Sequence, residues 1–142
     1  MIKHLLLVSI FFSLSFASID DFANKNNYFV NYEQAKAKAL QTNKPMMLVL
    51  VTTTCPWCEK LKKQTLNKKI INNYVLQHFI PVILNKDKGE YPVGKFTAKV
   101  VPTVFFIDSK TETIIDSSYG YKSKKKFLNI LEKIDSNQKG KS

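Results

Sequence analysis

The chain contains two cysteines, Cys55 and Cys58, separated by Pro56 and Trp57. A helix is predicted to begin directly after Cys55, which places Cys58 one turn inside it. There, free amide groups and the positive end of the helix dipole stabilise a thiolate at Cys55. Pro56 restricts the loop, and Trp57 offers an exposed aromatic contact for a partner. The spacing therefore predicts thiol–disulfide exchange, in which Cys55 attacks and Cys58 resolves the mixed disulfide.

Two other interpretations of the cysteine pair remain open. It could be half of a structural zinc site, but such a site needs two further ligands, and the chain has no other cysteine. His4 lies in an amino-terminal leader, and His78 adjoins an apolar segment where we expect it to pack rather than to bind metal. The pair could also be a purely structural disulfide, although so short a loop constrains little of the unfolded chain. We therefore predict redox chemistry without a metal.

Apolar runs and helical periodicity predict the elements that position the pair. Strands are predicted at residues 46–51, 79–84, 104–107 and 113–119. Helices are predicted at residues 32–42, from residue 56 onward, and at residues 69–77, 92–98 and 124–134. In the helix that begins at Pro56, Leu61 and Leu66 are expected to point inward. Three lysines of the same helix are expected to point outward: Lys60, Lys62 and Lys63.

This order of elements implies a parallel crossover followed by an antiparallel hairpin. The expected fold class is therefore α/β, with a central mixed sheet flanked by helices and an amino-terminal helical extension. We predict one folded domain at residues 32–135, an irregular lead-in at residues 18–31 and a polar tail at residues 136–142.

Residues 1–17 have the pattern of a secretory signal peptide. Their apolar run is shorter than a membrane span, and Ala17 ends a small-residue cleavage pattern. An uncleaved membrane anchor is the alternative interpretation. We expect cleavage and export to the periplasm, where the cysteine pair meets an oxidising environment.

The formal net charge is +11, and all 22 of the basic residues are lysines. Proteins that bind nucleic acids commonly use arginine for bidentate contacts to guanine and phosphate. The absence of arginine and the predicted export therefore argue against a nucleic-acid partner. A generally solvated basic surface is the simpler interpretation of the lysines, and an anion-binding face is the alternative.

The sequence resembles the thioredoxin superfamily over residues 32–134. The resemblance rests on the strand MMLVLV, the Cys-Pro-Trp-Cys motif at the start of a helix, and a Val-Pro-Thr segment before the strand VFFID. The segment that precedes the first strand is similar to those of exported thioredoxin-like proteins and of the carboxyl-terminal domain of DsbD-type reductases. This resemblance implies a thioredoxin fold.

The resemblance also implies that the Val101–Pro102 peptide bond is cis, with Pro102 near the cysteine pair and the Val101 backbone pairing with an extended substrate. An ordinary trans bond is the alternative. Thioredoxins place a buried acid six residues before the first cysteine and a lysine in the next core strand, whereas this sequence has Val49 and Ile83 there. Glu59 could replace the missing proton acceptor through water, or it could be a solvated residue of the first helical turn.

Our leading hypothesis is an exported thiol:disulfide oxidoreductase that needs no cofactor and is a monomer. By resemblance, its partners are disulfide-containing exported proteins and a membrane thiol electron donor or oxidase. We favour a reductase because the chain after the leader is short for the helical insertion of DsbA-type oxidants. The alternatives are a disulfide-forming oxidant and a redox-gated module that binds peptides without turnover.

Overall fold

The computed structural model describes residues 18–141 of the chain. The predicted leader at residues 1–17 lies outside the described residues and stays a prediction, as does the state of the last residue of the predicted tail. Within the described range, no helix is long and apolar enough to cross a membrane.

Four strands form one mixed sheet: β1 (Met46–Val51), β2 (Ile80–Asn85), β3 (Thr103–Ile107) and β4 (Ile114–Tyr119). Their order across the sheet is β2-β1-β3-β4. β1 pairs in parallel with β2, while β3 is antiparallel to both β1 and β4. The predicted parallel crossover and the predicted antiparallel hairpin are both confirmed.

Over residues 18–141, five α-helices flank the sheet: α1 (Ile19–Asn26), α2 (Tyr32–Thr42), α3 (Pro56–Leu61), α4 (Lys69–His78) and α5 (Lys124–Lys139). A π-helical turn, Lys62–Leu66, continues α3. Side-chain oxygens cap three helices by accepting a hydrogen bond from a first-turn amide, at Ser18, Asn31 and Ser123. These short-range bonds explain why α1, α2 and α5 begin where they do.

The side chains of β1 contribute to two cores, one on each face of the sheet, and all six are fully buried. Met47, Val49 and Val51 belong to the core that contains both cysteines and residues of α1, α3, α4 and α5. Residues 46, 48 and 50 belong to a second core formed with α2 and the segment before β3. Because helices or loops cover both faces, the sequence of β1 is an uninterrupted apolar run.

The predicted irregular lead-in at residues 18–31 is wrong, because its first part forms α1. The Asp21 amide donates a hydrogen bond to Ser18 Oγ at 3.0 Å, which caps the helix. Phe22 packs edge-on against Tyr28, with 5.2 Å between ring centroids, inside the core on the cysteine side. A helix this short is marginal by itself, so tertiary packing rather than periodicity stabilises it.

The predicted short helix at residues 92–98 is also wrong, because this segment forms turns. The Pro92 carbonyl accepts hydrogen bonds from the amides of Lys95 at 2.9 Å and Phe96 at 3.1 Å. The segment does not continue as a helix beyond this turn. Phe96 is fully buried in the second core, which includes residues of α2. Burial of this anchor, not helical periodicity, decides the path of the segment.

α5 runs to Lys139, five residues beyond the predicted end of this helix and into the predicted polar tail. The Ser136 hydroxyl donates to the Glu132 carbonyl at 2.8 Å, and Lys139 Nζ lies 2.8 Å from Asp135 Oδ2. Contacts between residues four positions apart thus extend the helix beyond its last buried side chain, Ile134.

Burial of β1 predicts unequal effects for two matched leucine substitutions. Leu48→Ala removes a fully buried side chain, and we expect a loss of about 2–5 kcal/mol in the free energy of unfolding. Leu40→Ala removes a side chain that is 48% exposed on α2, and we expect a change within about 0.5 kcal/mol. Equilibrium unfolding in urea, followed by circular dichroism, measures both. Equal losses would contradict the assignment of β1 to the core.

Candidate active site

The cysteine pair lies where β1 ends and α3 begins. A turn at residues 52–54 leads to Cys55, which has extended backbone and occupies the N-cap position of α3, and Pro56 is the first helical residue. Cys55 and Cys58 form a disulfide, with 5.2 Å between their Cα atoms. The Cys58 amide donates to Cys55 Sγ at 3.1 Å, so the first cysteine caps the helix through its sulfur. The predicted position of the pair is confirmed.

The two sulfurs have different surroundings. Cys55 retains 7% of its surface exposed, whereas Cys58 is fully buried among core side chains. Solvent and partners therefore approach the pair from the Cys55 side. The amide that points at Cys55 Sγ would stabilise negative charge there after the disulfide opens. This asymmetry suits an attacking sulfur at Cys55 and a resolving sulfur at Cys58.

A second loop, immediately before β3, closes over the pair. The Val101–Pro102 bond is cis, as the resemblance implied. Cys55 Sγ lies 3.9 Å from the Val101 carbonyl oxygen. The Pro102 carbonyl accepts a hydrogen bond from the Gly120 amide at 2.8 Å, where Gly120 has φ +72° and ends β4. The structure thus brings together the predicted residues of both loops.

Trp57 stands at the rim of the site with 57% of its surface exposed. Its ring lies 6.1 Å from that of Tyr121, and Lys60 Nζ lies 5.0 Å from the Trp57 centroid and 4.6 Å from the Tyr121 centroid. The Tyr121 hydroxyl donates to Gln64 Oε1 at 3.2 Å. Sequence reasoning identified Trp57 but missed Tyr121, because no local pattern connects residues so far apart in the chain.

Glu59 is buried, so its interpretation as a solvated residue of the first helical turn is wrong. The outward position predicted for Lys62 is also wrong, since Lys62 is only 4% exposed. Lys62 Nζ lies 2.5 Å from Glu59 Oε1 and 6.0 Å from the centroid of the Phe22 ring of α1. Among residues 18–141, Glu59 Oε2 is buried without a hydrogen-bond partner. Packing of α1 over this region encloses both charges.

A cavity of about 380 Å³ adjoins the buried ion pair. Its lining includes Glu59, Lys62 and Ile83, together with residues at the start of α1. Val49 and Ile83 pair in register on β1 and β2, and both are fully buried. The two strand positions thus bear no titratable group, and the buried charges beside the cysteine motif come from α3 and the π-helical turn that follows it.

Within the described part of the chain, no three His, Cys, Asp or Glu side chains are grouped so that they could hold a metal ion. His78 lies at the opposite end of the sheet from Cys55, because it precedes the first residue of β2. Its Nδ1 is 3.2 Å from Asp135 Oδ1, and its ring stacks on Tyr74. Partial burial alone would raise the pKa of Asp135, but the hydrogen bond from Lys139 and the proximity of His78 hold that pKa below its ordinary value.

Comparison with known proteins adds a family and a relative. Residues 32–135 match the model of a family described as a thioredoxin-like domain. Anterior gradient protein 2 of Xenopus laevis is 34% identical over 80 residues, which make up 54% of this chain and 41% of that protein. The match thus spans less than half the length of this curated relative.

Solved structures share the fold. A thioredoxin from Thermus thermophilus superposes with a TM-score of 0.67 at 18% identity, over 75% of this chain and 85% of that one. The reduced carboxyl-terminal domain of DsbD from Neisseria meningitidis superposes with a TM-score of 0.59 at 22% identity, over 71% of this chain and 91% of that one. At such identities the likeness establishes the fold, and the predicted thioredoxin architecture is confirmed.

The unequal exposure of the two sulfurs predicts selective alkylation of the reduced protein. Iodoacetamide at neutral pH should label Cys55 well before Cys58, because only Cys55 retains exposed surface and a capping amide for its thiolate. Peptide mapping by mass spectrometry measures the two rates, and the single variants Cys55→Ser and Cys58→Ser assign them. Faster labelling of Cys58 would reverse the assigned roles.

Proposed function

The chain belongs to the thioredoxin-like domain family, and we propose that it is an exported thiol:disulfide oxidoreductase that reduces disulfides of partner proteins in the periplasm. The observation that carries this proposal is the Cys55–Cys58 disulfide at the start of α3, with Cys55 Sγ beside the Val101 carbonyl of the cis-proline loop. A reactive cysteine pair that lies at the start of a helix, beside the backbone of the cis-proline loop, is suited to attack a disulfide in an extended partner chain.

The exchange proceeds in two balanced steps. In the reduced protein, the Cys55 thiolate attacks one sulfur of the partner disulfide, and the other partner sulfur leaves as a thiolate that takes up a proton. Cys58 then loses its proton and attacks Cys55 Sγ, which breaks the mixed disulfide and releases the second partner thiol. The partner gains two electrons and two protons, and the protein is left with its Cys55–Cys58 disulfide.

Glu59 serves in this scheme as the proton acceptor for Cys58. It follows Cys58 directly, it is buried, and its Oε2 has no partner among the described residues. Adjacent side chains on a helix do not face each other, so the transfer requires a water between Cys58 and the carboxylate, and the cavity lined by Glu59 gives solvent access on the carboxylate side. Lys62 holds the other carboxylate oxygen in place. No titratable side chain at Val49 or Ile83 competes for this role.

The reducing direction and the location rest on other observations. The crossover between β1 and β2 consists of α3, a π-helical turn and α4, with no inserted domain such as DsbA-type oxidants carry. The pattern of residues 1–17 supports export. A periplasmic reductase must itself be reduced again, so a membrane thiol donor is the proposed source of electrons.

Removal of the nucleophile predicts a complete loss of turnover. Reduction of insulin by dithiothreitol should be accelerated by the protein and not by Cys55→Ser, whereas Cys58→Ser should accumulate a mixed disulfide through Cys55. Equilibration with glutathione, read by mass spectrometry, should place the potential of the pair near about −270 mV, as in thioredoxin. A value near about −120 mV would indicate an oxidant. No turnover, with peptide binding retained, would indicate a binding module.

Replacement of the proposed proton acceptor predicts a pH-dependent defect. Glu59→Gln should slow the release of the second partner thiol by about tenfold or more at pH 7, because transfer of the Cys58 proton loses its acceptor. The defect should shrink at high pH, where Cys58 ionises unaided. Stopped-flow mixing of the reduced protein with a peptide disulfide, followed by Trp57 fluorescence, measures this step across pH.

The matched control separates proton transfer from stability. Glu59→Gln also leaves Lys62 buried without its carboxylate, which should destabilise the fold. The double variant Glu59→Gln/Lys62→Met removes both charges and should recover stability without recovering the rate at pH 7. Recovery of that rate in the double variant would show that Glu59 acts only through stability.

A further inference from the structure

Lysines outnumber acids in the segments of the chain around Cys55. We propose that the surface around Cys55 selects its substrates by charge, and that the preferred substrate is an extended segment of an exported protein whose disulfide is flanked by Asp or Glu. The inference rests on the proposed exchange function and adds a substrate class to it.

Three segments of the chain surround the disulfide, at residues 52–66, 97–103 and 119–125. Together they contain seven lysines and a single acidic residue, Glu59. Glu59 is buried and paired with Lys62, so these two charges cancel inside the protein. The remaining six lysines are at least partly exposed to solvent: Lys60, Lys63, Lys99, Lys122, Lys124 and Lys125.

Three of these lysines adjoin residues of the site. The Lys60 ammonium lies over the rings of Trp57 and Tyr121. Lys99 is exposed and precedes Val101, whose carbonyl approaches Cys55 Sγ, by two residues. Lys122 follows Tyr121, and its Nζ donates to the carbonyl of the last residue of β4. Positive charges thus adjoin the Trp57–Tyr121 ring pair and the segment that leads into the cis-proline loop.

Within the described part of the chain, no acid pairs with these lysines, although Asp20 and Glu90 line the cavity beside Glu59. Among residues 18–141, none of the six exposed lysines forms an ion pair with a carboxylate, while other lysines do. Glu112 pairs with Lys36 at 2.9 Å, and Asp116 pairs with Lys133 at 3.4 Å. Apart from Glu59, the acids with ion pairs therefore neutralise lysines elsewhere on the fold, and the lysines beside Trp57, Tyr121 and Val101 have no carboxylate of the described residues paired with them.

Exposed apolar side chains accompany the charge. Trp57 and Val100 are 57% and 51% exposed, and both belong to the segments around the disulfide. An apolar surface with a basic rim matches a chain that alternates apolar and acidic residues. Basic substrates would meet repulsion at each of the three lysines that adjoin the site. Charge complementarity of this kind acts mainly on the rate of encounter.

Paired peptide disulfides test the proposal. Two peptides of equal length, each closed by one disulfide, differ only in residues next to the cysteines, which are Asp in one and Lys in the other. The pre-reduced full-length protein should reduce the acidic peptide at least about tenfold faster at low ionic strength. At 1 M salt, where the screening length is about 3 Å, the ratio should fall to about twofold. Acid quenching and mass spectrometry give the rates.

A matched pair of variants locates the effect. The triple variant Lys60→Gln/Lys99→Gln/Lys122→Gln removes three charges at the site and should abolish most of the preference. The control Lys38→Gln/Lys110→Gln/Lys141→Gln removes three exposed lysines that lie away from the three segments, and it should keep the preference. The rate of each variant on the two peptides is divided by its rate on the uncharged 2-hydroxyethyl disulfide, so that any change in the reactivity of Cys55 itself cancels.

The outcomes separate the inference from the function on which it rests. Reduction of all three disulfides without an acidic preference would overturn the charge selection and leave the exchange function standing. A preference that survives the triple variant, or that disappears equally in the control, would also overturn it. If none of the three disulfides reacts, the exchange function fails and the inference fails with it.

Discussion

The site depends on the immobility of β1. This strand is hydrogen-bonded to β2 on one edge and to β3 on the other, and both of its faces are covered. Its carboxyl end therefore has one position relative to the start of β3, where the cis-proline loop lies. Cys55 leaves β1 after a three-residue turn, so the distance between its sulfur and the Val101 carbonyl is set by the sheet. The reactive sulfur needs no flexible segment to position it.

Burial of charge beside the cysteines distinguishes this site from the thioredoxin pattern implied by resemblance. The strand positions that hold a buried acid and a lysine in that pattern are apolar here, at Val49 and Ile83. A carboxylate and an ammonium are nonetheless buried close by, as Glu59 and Lys62. A buried ion pair is costly to desolvate and often adds little stability. Its presence next to a redox pair is therefore better explained by the chemistry than by the fold.

Two other acids, Glu112 and Asp135, join elements that support the sheet. Glu112 accepts from the Tyr32 hydroxyl at 3.0 Å and pairs with Lys36, which joins α2 to the turn between β3 and β4. The hydrogen bond from Lys36 holds the pKa of Glu112 below its ordinary value. Asp135 similarly joins α5 to α4 through Tyr74 and His78. Because Glu112 and Asp135 serve structural contacts away from the cysteines, neither pairs with the lysines around the disulfide.

Local patterns in the sequence were sufficient for the strands, for most of the helices and for the position of the two cysteines at the start of a helix. Some features act over only a few residues and can be recognised from the sequence without the fold. They are the apolar run of β1, the proline after Cys55 and the Val-Pro-Thr segment. Contacts between distant segments could not be predicted from the sequence. The burial of Glu59 and Lys62 requires α1 to pack over them, and the ring contact of Trp57 requires Tyr121, which the sheet brings from a distant part of the chain. Such contacts form only when the whole core closes, because burial is decided by what covers a side chain and not by its neighbours in sequence.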